Sequence, residues 1–297
     1  MSRAILLAAL LALTGCGAPD EPIIADDGPT PLRCATGDTL MSIQQIMMAT
    51  YANPMIVVDS ADFDGTNDFM TRGAGLTGAV DSRLLIISLW FRLDGGDGTL
   101  MTILQGFTGG NLHVWVKRLA TNKLEIMLRD ASLLKELQIE TVNSYLAGST
   151  WHHLLFGINN DAGGAVFSLY MDDAADEGSS STQGAAEPID FTLGEWAIGR
   201  NTSAGAETLN ACLAELYFAP GQYLDFSNVY FRRKFISASG KPVHLGTTGA
   251  LPTGTAPLVY HHIDDGEAVA NFATNRGTGG DFTITGTLTT GSTSPSD

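Results

Sequence analysis

Cysteine is scarce in this sequence: Cys16, Cys34 and Cys212 are the only three among 297 residues. Three cysteines are too few for the disulfide framework that stabilises many small secreted domains. Cys212 lies in a strand-like apolar run and is interpreted as a small buried side chain, and a Cys34–Cys212 bridge in an oxidising compartment is the alternative. Because 44% of the residues are hydrophobic, a hydrophobic core can stabilise the fold instead.

Basic residues are also few, since 16 lysines and arginines stand against 32 acidic residues and leave a net charge of −16. Nucleic acids are bound largely through Lys and Arg, which displace counterions from the phosphates. A chain with this charge is repelled by nucleic acid overall, so we expect no nucleic-acid partner. The acidic balance itself bears on solubility rather than on fold.

Sequence motifs of common catalytic sites are missing. The chain has no G-x-S-x-G, no H-E-x-x-H and no phosphate-binding loop. Two histidine pairs, His152-His153 and His261-His262, fall in strand-like runs, where neighbouring side chains point to opposite faces of a sheet. Neither pair can chelate a metal as a unit, so a structural role is favoured. We expect no catalytic residues and, apart from a candidate calcium loop, no cofactor.

The first sixteen residues contain an unbroken apolar run, Ala4–Leu13, after a single arginine. The run is too short for a resident membrane helix but suits the hydrophobic region of a signal peptide. It leads into Leu13-Thr14-Gly15-Cys16, which resembles the bacterial lipobox. That resemblance implies cleavage before Cys16 and lipidation of its thiol. Residues 1–16 therefore predict a signal peptide, and the protein is expected to be a cell-envelope lipoprotein (outer membrane or periplasm) held to the membrane by a lipid anchor.

The next segments carry little that a core could bury. Residues 17–40 are rich in Pro, Asp and Gly and predict a flexible tether. Residues 41–54 predict a short helix or a helical oligomerisation segment, which would make a homo-oligomer, because four apolar residues have helical spacing: Ile43, Ile46, Met47 and Tyr51. Met41 is an alternative translation start, since Gly37-Asp38 can be encoded by a purine-rich sequence at ribosome-binding distance. A start at Met41 would remove the lipobox.

Beyond Pro54 helix signals nearly vanish until Asn228–Ser237, and the chain alternates between strand-like runs and turns. The clearest strand is Leu85–Leu93, which is long and rich in β-branched residues and ends in a Gly/Asp loop. The other runs are separated by turns of Gly, Asp and Asn, as in a β-sandwich: Met55–Val58, Met101–Gln105, Leu112–Arg118, Lys123–Arg129, Trp151–Asn159, Ala165–Met171, Trp196–Gly199, Cys212–Phe218 and Leu258–His261.

These runs predict one all-β domain over residues 55–290, folded as an antiparallel jelly-roll sandwich. Phe282 and Ile284 alternate with threonines near the end of the domain, as expected for an edge or closing strand. Residues 291–297 offer no such alternation and are predicted to form a disordered tail.

Several short stretches, in this order, resemble the concanavalin A-like lectin/glucanase superfamily in its LamG-like branch. The resemblance covers roughly residues 57–218 and rests on six pieces: Phe63–Phe69, Ser88–Leu93, Trp151–Leu154, Leu169–Asp172, Ala197–Gly199 and Ala214–Phe218. It implies a jelly roll that binds a ligand. One departure is Asp173, where the family often has Gly; Asp tolerates the left-handed conformation, so the turn should survive.

The resemblance also bears on catalysis and on origin. Glucanases of this superfamily use two carboxylates in a Glu-x-Asp-x-x-Glu spacing on one strand, and the chain has no such spacing. Arg232–Pro242, Pro257–Tyr260 and the Gly-Thr-Gly-Gly tail are similar to a subset of these proteins that is common in bacteriophages and prophages. That likeness implies a virion or host-surface protein, and it agrees better with a start at Met41 than with a lipobox.

Two groups of residues are candidate sites. In Leu112–Lys117 the alternation places His113, Trp115 and Lys117 on one face and three aliphatic residues on the other. An indole flanked by polar groups on an open sheet face suits stacking on a sugar, while packing under a loop or against a subunit is the alternative. Asp64, Asn67 and Asp68 cluster oxygens that suit Ca²⁺, although an Asp-Gly-Thr-Asn turn accounts for them without metal.

The leading hypothesis from the sequence is a non-catalytic recognition module that binds a glycan or another cell-surface ligand. The second is a structural component of a phage virion, in its tail or capsid, that uses the sandwich for assembly. The third is a glycan-active enzyme, which the missing carboxylate spacing disfavours.

Overall fold

Strands make up nearly all the regular structure in the computed structural model, which describes residues 56–161, 165–183 and 186–297. The predicted signal peptide, tether and helical segment at 1–16, 17–40 and 41–54 lie outside the described residues. Among the described residues, no helix has the length and hydrophobicity that a membrane span requires.

Two antiparallel sheets form the sandwich. The first sheet has the order β10-β9-β8-β3-β13-β1-β16, and β14 pairs with a further part of β13. Its strands are β1 (Ala61–Asp64), β3 (Leu84–Leu93), β8 (His152–Asn159), β9 (Val166–Met171), β10 (Ala174–Ala175), β13 (Asn210–Pro220), β14 (Val259–His261) and β16 (Thr289–Thr290). The predicted all-β sandwich is therefore confirmed.

The second sheet has the order β11-β7-β6-β5-β4-β12-β2-β15. Its strands are β2 (Phe69–Arg72), β4 (Met101–Thr108), β5 (Asn111–Arg118), β6 (Leu124–Arg129), β7 (Lys135–Thr141), β11 (Glu177–Ser181), β12 (Glu195–Ile198) and β15 (Thr283–Thr285). β15 contains Ile284, so the alternation near the end of the chain does mark an edge strand. β7 and β11 are too polar for an apolar run to predict them as strands.

The main core lies between the two sheets and follows the predicted alternation. On β3, Leu85, Ile87, Leu89 and Phe91 point into it, as do Val114 and Val116 of β5. Burial of an apolar side chain of this size contributes about 1.5–3 kcal/mol. The period-2 pattern therefore decides which face of each sheet is internal.

The first sheet is covered on its other face as well. Ile86 and Trp90, which alternate with the core residues of β3, pack against side chains from the segment that follows β13. That segment supplies Phe226, Phe235 and Val243 and includes the one-turn helix α1 (Val229–Arg232), whose first turn is capped by Asn228. The outer face of the second sheet is also largely buried, but Trp115 on β5 is partly exposed there.

The turn after β9 keeps its shape without glycine. Asp172 and Asp173 have φ values of 53° and 67°. Both lie in the left-handed region, which Asp tolerates better than most residues. The prediction that Asp173 can replace the usual glycine is confirmed.

Residues 291–297 are not the disordered tail that the sequence analysis predicts. The amide of Gly291 donates to the Ser60 carbonyl over 2.9 Å, and the Ser60 hydroxyl donates to the Thr293 carbonyl over 2.9 Å. The Ser296 hydroxyl accepts from the amide of Val58 at 3.0 Å. Small polar residues hold this segment through hydrogen bonds to backbone groups, which a search for apolar alternation does not detect.

Cys212 is buried and carries a free thiol, so the interpretation as a small core side chain is confirmed. Burial raises the pKa of this thiol. Cys34 lies outside the described residues.

Candidate ligand-binding site on the second sheet

The outer face of the second sheet carries a row of side chains set in register across four strands. Gln138 on β7 pairs with Met127 on β6, which pairs with Trp115 on β5, which pairs with Gln105 on β4. Directly paired residues of antiparallel strands share one face. We name this surface the Trp115 face, and its members are Gln105, Trp115, Lys117, Glu125, Met127, Arg129 and Gln138.

Trp115 lies at the centre of this face and is half-buried. Its indole nitrogen donates to Glu125 Oε1 over 2.7 Å, and the Gln138 amide donates to Glu125 Oε2 over 2.5 Å. Glu125 therefore fixes the orientation of the indole. The ring also contacts two cations, with Lys117 Nζ 5.2 Å and the Arg129 guanidinium 5.1 Å from its centre.

Lys117 shares the face with Trp115, as the alternation predicts, but its charge is already paired. Its ammonium lies 2.7 Å from a carboxylate oxygen of Glu207, which also accepts from the Thr102 hydroxyl at 2.8 Å. Burial raises the pKa of Glu207, but the hydrogen bonds from Lys117 and Thr102 outweigh it and leave the pKa below its usual value. Lys117 is only 7% exposed, so it positions the indole rather than reaching into solvent.

His113 also lies on the predicted face, but it is buried beneath a loop. Its Nδ1 lies 3.1 Å from the Asp130 carbonyl oxygen and 3.2 Å from a carboxylate oxygen of Asp190. Of the three residues that the strand pattern singled out, Trp115 is therefore the one with substantial exposed surface. The structure places all three on one face and leaves their role in binding as a proposal.

Gln105 and Arg129 complete the face and were not found from the sequence. Gln105 is fully buried; its amide nitrogen donates to the Thr202 hydroxyl over 3.1 Å, and its Oε1 has no donor among the described residues. Arg129 donates to the Leu112 carbonyl over 3.0 Å, and its Nε has no acceptor there either. Both residues lie on strands other than β5, so only the register brings them beside Trp115.

The candidate calcium residues form a turn in the structure. Asp64 Oδ1 accepts from the amides of Thr66, Asn67 and Asp68 at 2.8, 3.1 and 3.4 Å. These bonds, led by that from Thr66, lower the pKa of Asp64. Asp68 Oδ1 accepts from the Thr287 amide at 2.7 Å. Backbone amides thus hold Asp64 Oδ1 and Asp68 Oδ1 in this turn, and calcium binding by Asp64, Asn67 and Asp68 stays a prediction.

One other group has the geometry for a metal among the described residues. Ligand atoms of Asp62, Asp94 and Cys212 lie within 4.8 Å of one another. The Arg92 guanidinium, however, lies against this group, 2.8 Å from Asp94 Oδ1 and 3.2 Å from Cys212 Sγ. Because the guanidinium already supplies the positive charge there, the group does not fit a cation.

Several solved structures match this chain at low sequence identity. A structure from Bacteroides ovatus matches with a TM-score of 0.53 and 12% identity, over 80% of this chain and 60% of its own. The heptameric SAP-like pentraxin of Limulus polyphemus matches with a TM-score of 0.42 and 14% identity, over 59% and 82%. Domains LG4-5 of the mouse laminin α1 chain match with a TM-score of 0.39 and 16% identity, over 59% and 45%.

The chain thus spans about three fifths of the length of the Bacteroides structure. No curated protein gave a significant match to this sequence. A family model described as the concanavalin A-like lectin/glucanases superfamily matches residues 72–220, which is half of the chain, and includes most of the strands that build the sandwich. The chain belongs to the concanavalin A-like lectin/glucanases superfamily.

Proposed function

We propose that this protein is a non-catalytic glycan-binding module and that the Trp115 face is its binding site. The observation that carries the proposal is the half-buried Trp115 indole, held by Glu125 and flanked by the partly exposed Arg129, whose Nε has no acceptor among the described residues. Buried polar groups in proteins nearly always have a hydrogen-bond partner. A hydroxyl of a sugar can accept from the arginine.

The composition of the face also suits a sugar. Ligand sites typically combine an apolar wall with a small number of placed polar groups. Trp115 supplies the apolar part, while Arg129 and Gln138, which are both partly exposed, supply donors and acceptors beside it. The Bacteroides ovatus protein with the same fold is one for which carbohydrate binding has been proposed, which supports the same class of ligand here.

A non-catalytic role is supported by the state of the carboxylates on this face. Glu125 lies directly across from Glu140 in the β6–β7 pair, so two carboxylates are neighbours there. A general acid or nucleophile has to reach the substrate. Glu125 is 6% exposed, and its two oxygens accept from Trp115 and Gln138. Its carboxylate is therefore engaged in holding the indole.

Gln138→Ala and Arg129→Ala are each expected to weaken binding of the best glycan on an array by about tenfold, because each removes a partly exposed hydrogen-bonding group beside Trp115. Isothermal titration with that glycan measures the change. Lys123→Ala is the matched control, since it removes a cation that lies just before β6 and is not a member of the Trp115 face, so it should leave affinity unchanged. Wild-type affinity in both site variants would contradict the placement of the site.

The same purified protein tests the non-catalytic assignment. Incubation with the bound glycan is expected to yield no reducing ends above background. Sustained hydrolysis that Glu125→Gln abolishes would instead identify Glu125 as a catalytic residue, since the substitution keeps an oxygen to accept from Trp115 but removes the ionisable group.

We also propose that the protein is attached to the cell envelope through Cys16. In a bacterial host, Cys16→Ser is expected to abolish incorporation of labelled palmitate and to release the protein from membranes. Cys34→Ser is the control and should retain the label, because it leaves the lipobox intact. A native N-terminus at Met41, measured by mass spectrometry, would contradict this proposal.

A further inference from the structure

A second pocket lies on the opposite side of the sandwich from the Trp115 face. It has a volume of about 290 Å³ and is lined chiefly by Trp90, Ser149, Trp151, Lys241 and the segment 293–297. Trp90 belongs to the face of β3 that points away from the core between the sheets. The volume is at the lower end for small-molecule sites, which start at about 300 Å³, so the pocket suits a ligand the size of one sugar ring.

Trp90 lines this pocket and carries an indole N–H without an acceptor among the described residues. The residue is 3% exposed, and its indole N–H has no hydrogen-bond partner among the described residues. The ring itself is held in place, because it stacks on His153 with 4.6 Å between ring centres and packs against Val58 and Ile236. A buried N–H without an acceptor destabilises the folded protein, and an acceptor on a ligand would remove that cost.

Trp151 gives the pocket a second aromatic wall with a fixed orientation. Its indole nitrogen donates to the Thr293 hydroxyl over 3.0 Å, and the Arg92 guanidinium lies 5.8 Å from its ring centre. The Arg92 guanidinium also donates to Thr293 and, over 3.2 Å, to Ser292, so the same tail residues hold both groups. Trp151 is half-buried, which leaves part of the indole for contact with a ligand.

The charges around the pocket favour a neutral ligand over an anion. Arg92 is paired with Asp94, with 2.8 Å between Nε and Oδ1. The Lys241 ammonium donates to the carbonyl oxygen of Asp297, whose own side chain accepts from the amide of Ser294 at 2.8 Å. Both cations near the pocket are therefore engaged, and an acidic side chain is among the residues that line it.

We infer that this pocket binds a neutral sugar that bears an acetamido group. A carbonyl oxygen is the acceptor that the Trp90 N–H lacks, and the methyl of an acetamido group is small and apolar enough to pack between two indoles. The apolar face of the sugar ring then lies against Trp151, as aromatic side chains commonly pack against flat ligands. Ser149 is exposed at the pocket and supplies a hydroxyl that can donate to or accept from the ring hydroxyls. The module would thus have two separate glycan sites.

The four tryptophans of the chain make the test direct, because each gives one indole N–H signal in a ¹H–¹⁵N spectrum of the full-length protein. N-acetylglucosamine is expected to shift the signals of Trp90 and Trp151 and to leave those of Trp115 and Trp196 in place. Glucose and glucuronate are the comparison sugars and should produce smaller shifts at the same concentration. Equal shifts with all three sugars, or none with N-acetylglucosamine, would overturn the inference.

Trp90→Phe is the informative variant, since it keeps an aromatic ring on His153 and removes only the N–H and part of the ring area. Affinity for N-acetylglucosamine should fall about fivefold, as expected for the loss of one hydrogen bond, while Trp151→Ala should abolish the titration. An unchanged affinity of Trp90→Phe would show that the N–H does not contact the ligand and would refute the assignment.

The two proposed sites can be tested separately. Arg129→Ala alters the Trp115 face and should leave the N-acetylglucosamine titration of Trp90 unchanged. If Arg129→Ala instead abolished that titration, the sugar would bind at the Trp115 face and the second pocket would not be a site. A normal thermal melt of each variant excludes unfolding as the cause of lost binding.

Discussion

Arg118→Met is expected to lower the free energy of unfolding by about 3 kcal/mol or more, the range found when one partner of a buried polar network is removed. The Arg118 side chain is completely buried and continues the core-facing side of β5. Methionine fills similar space without donors, so the substitution tests the hydrogen bonds rather than the packing.

The reason for this large effect is the number of acceptors that depend on one guanidinium. Arg118 donates to the carbonyls of Tyr145 at 3.0 Å and Gly96 at 2.7 Å, to the Asn122 side chain at 2.6 Å and to the Asp97 carboxylate. These acceptors come from three separate loops at one end of the sandwich. Without the guanidinium, the buried carbonyls would lose their donor, and the loops would lose their common attachment.

Chemical unfolding in urea or guanidinium chloride measures the change. Arg83→Met is the matched control, because Arg83 is an arginine whose side chain is 36% exposed and whose partner Glu187 is 57% exposed. Exposed ion pairs contribute about 0–1 kcal/mol, so this control should change stability by no more than that. Arg118→Lys should fall between the two, since lysine keeps the charge but lacks the planar fork. Equal stability of Arg118→Met and wild type would mean that the three loops hold their positions without the guanidinium.

The burial of Arg118 is a feature that the sequence pattern does not predict. Leu112, Val114 and Val116 alternate correctly and identify the core side of β5, but the next residue on that side is the arginine. The pattern predicts the strand and its facing, whereas the acceptors that make a buried charge acceptable come from residues 96, 97, 122 and 145. Only the folded chain brings those residues together.

The sequence pattern likewise predicts only some of the residues of the candidate site. The alternation on β5 predicts that His113, Trp115 and Lys117 share a face, and they do. It gives no information on Gln105 or Arg129, which reach that face through the pairing of β4 and β6 with β5. It also does not predict that Glu207 pairs with the charge of Lys117 or that Asp190 lies against His113. Local patterns thus identify faces, while the register of distant strands determines what those faces contain.

The layer over the first sheet is a further feature that local patterns did not predict. The residues of β3 and β13 are nearly all buried, with no alternation of exposure, because each strand has a covered face on both sides. Continuous apolar runs such as Leu85–Leu93 are typical of strands buried on both faces. The pattern is therefore consistent with the covering layer, but it does not identify the segment that supplies it.

Acidification from pH 6 to pH 4.5 is expected to destabilise the protein steeply, and His153 should account for a large part of the slope. Burial lowers the pKa of His153 to about 3, against a smaller opposing effect of Asp172 and Asp173. Burial likewise lowers the pKa of His261 to about 4, against opposing contributions from Phe272, Asp281 and Thr274. In the unfolded chain both imidazoles titrate near 6.5. Between these values the unfolded state binds protons that the folded state does not.

The direction in which pH changes the unfolding free energy follows from this difference in proton binding. A base whose pKa is lower in the folded state contributes stability above its unfolded pKa, and this stability is lost as the pH falls toward the folded pKa. Each such histidine changes the unfolding free energy by about 1.4 kcal/mol per pH unit within the window. His262 behaves oppositely: burial lowers its pKa, but Glu215 and Asp264 more than restore it and leave it raised, so its contribution is lost only as the pH rises above about 6.5.

His153→Gln should therefore reduce the slope of unfolding free energy against pH by about 1.4 kcal/mol per unit between pH 5.5 and 4.5. His262→Gln is the control, because it should alter the pH dependence above 6.5 and leave this acid window unchanged. Denaturant unfolding at half-unit intervals of pH gives both slopes.

The result also bears on the second pocket, since His153 lies directly beneath the Trp90 ring and hydrogen-bonds the Ser88 hydroxyl at 2.9 Å. Because His153 stays neutral in the folded state over this interval, Trp90 keeps its position and the N-acetylglucosamine titration of the folded protein should not change there. An acid slope identical in wild type and His153→Gln would show that His153 takes up its proton in the folded state and that Trp90 rests on a charged ring.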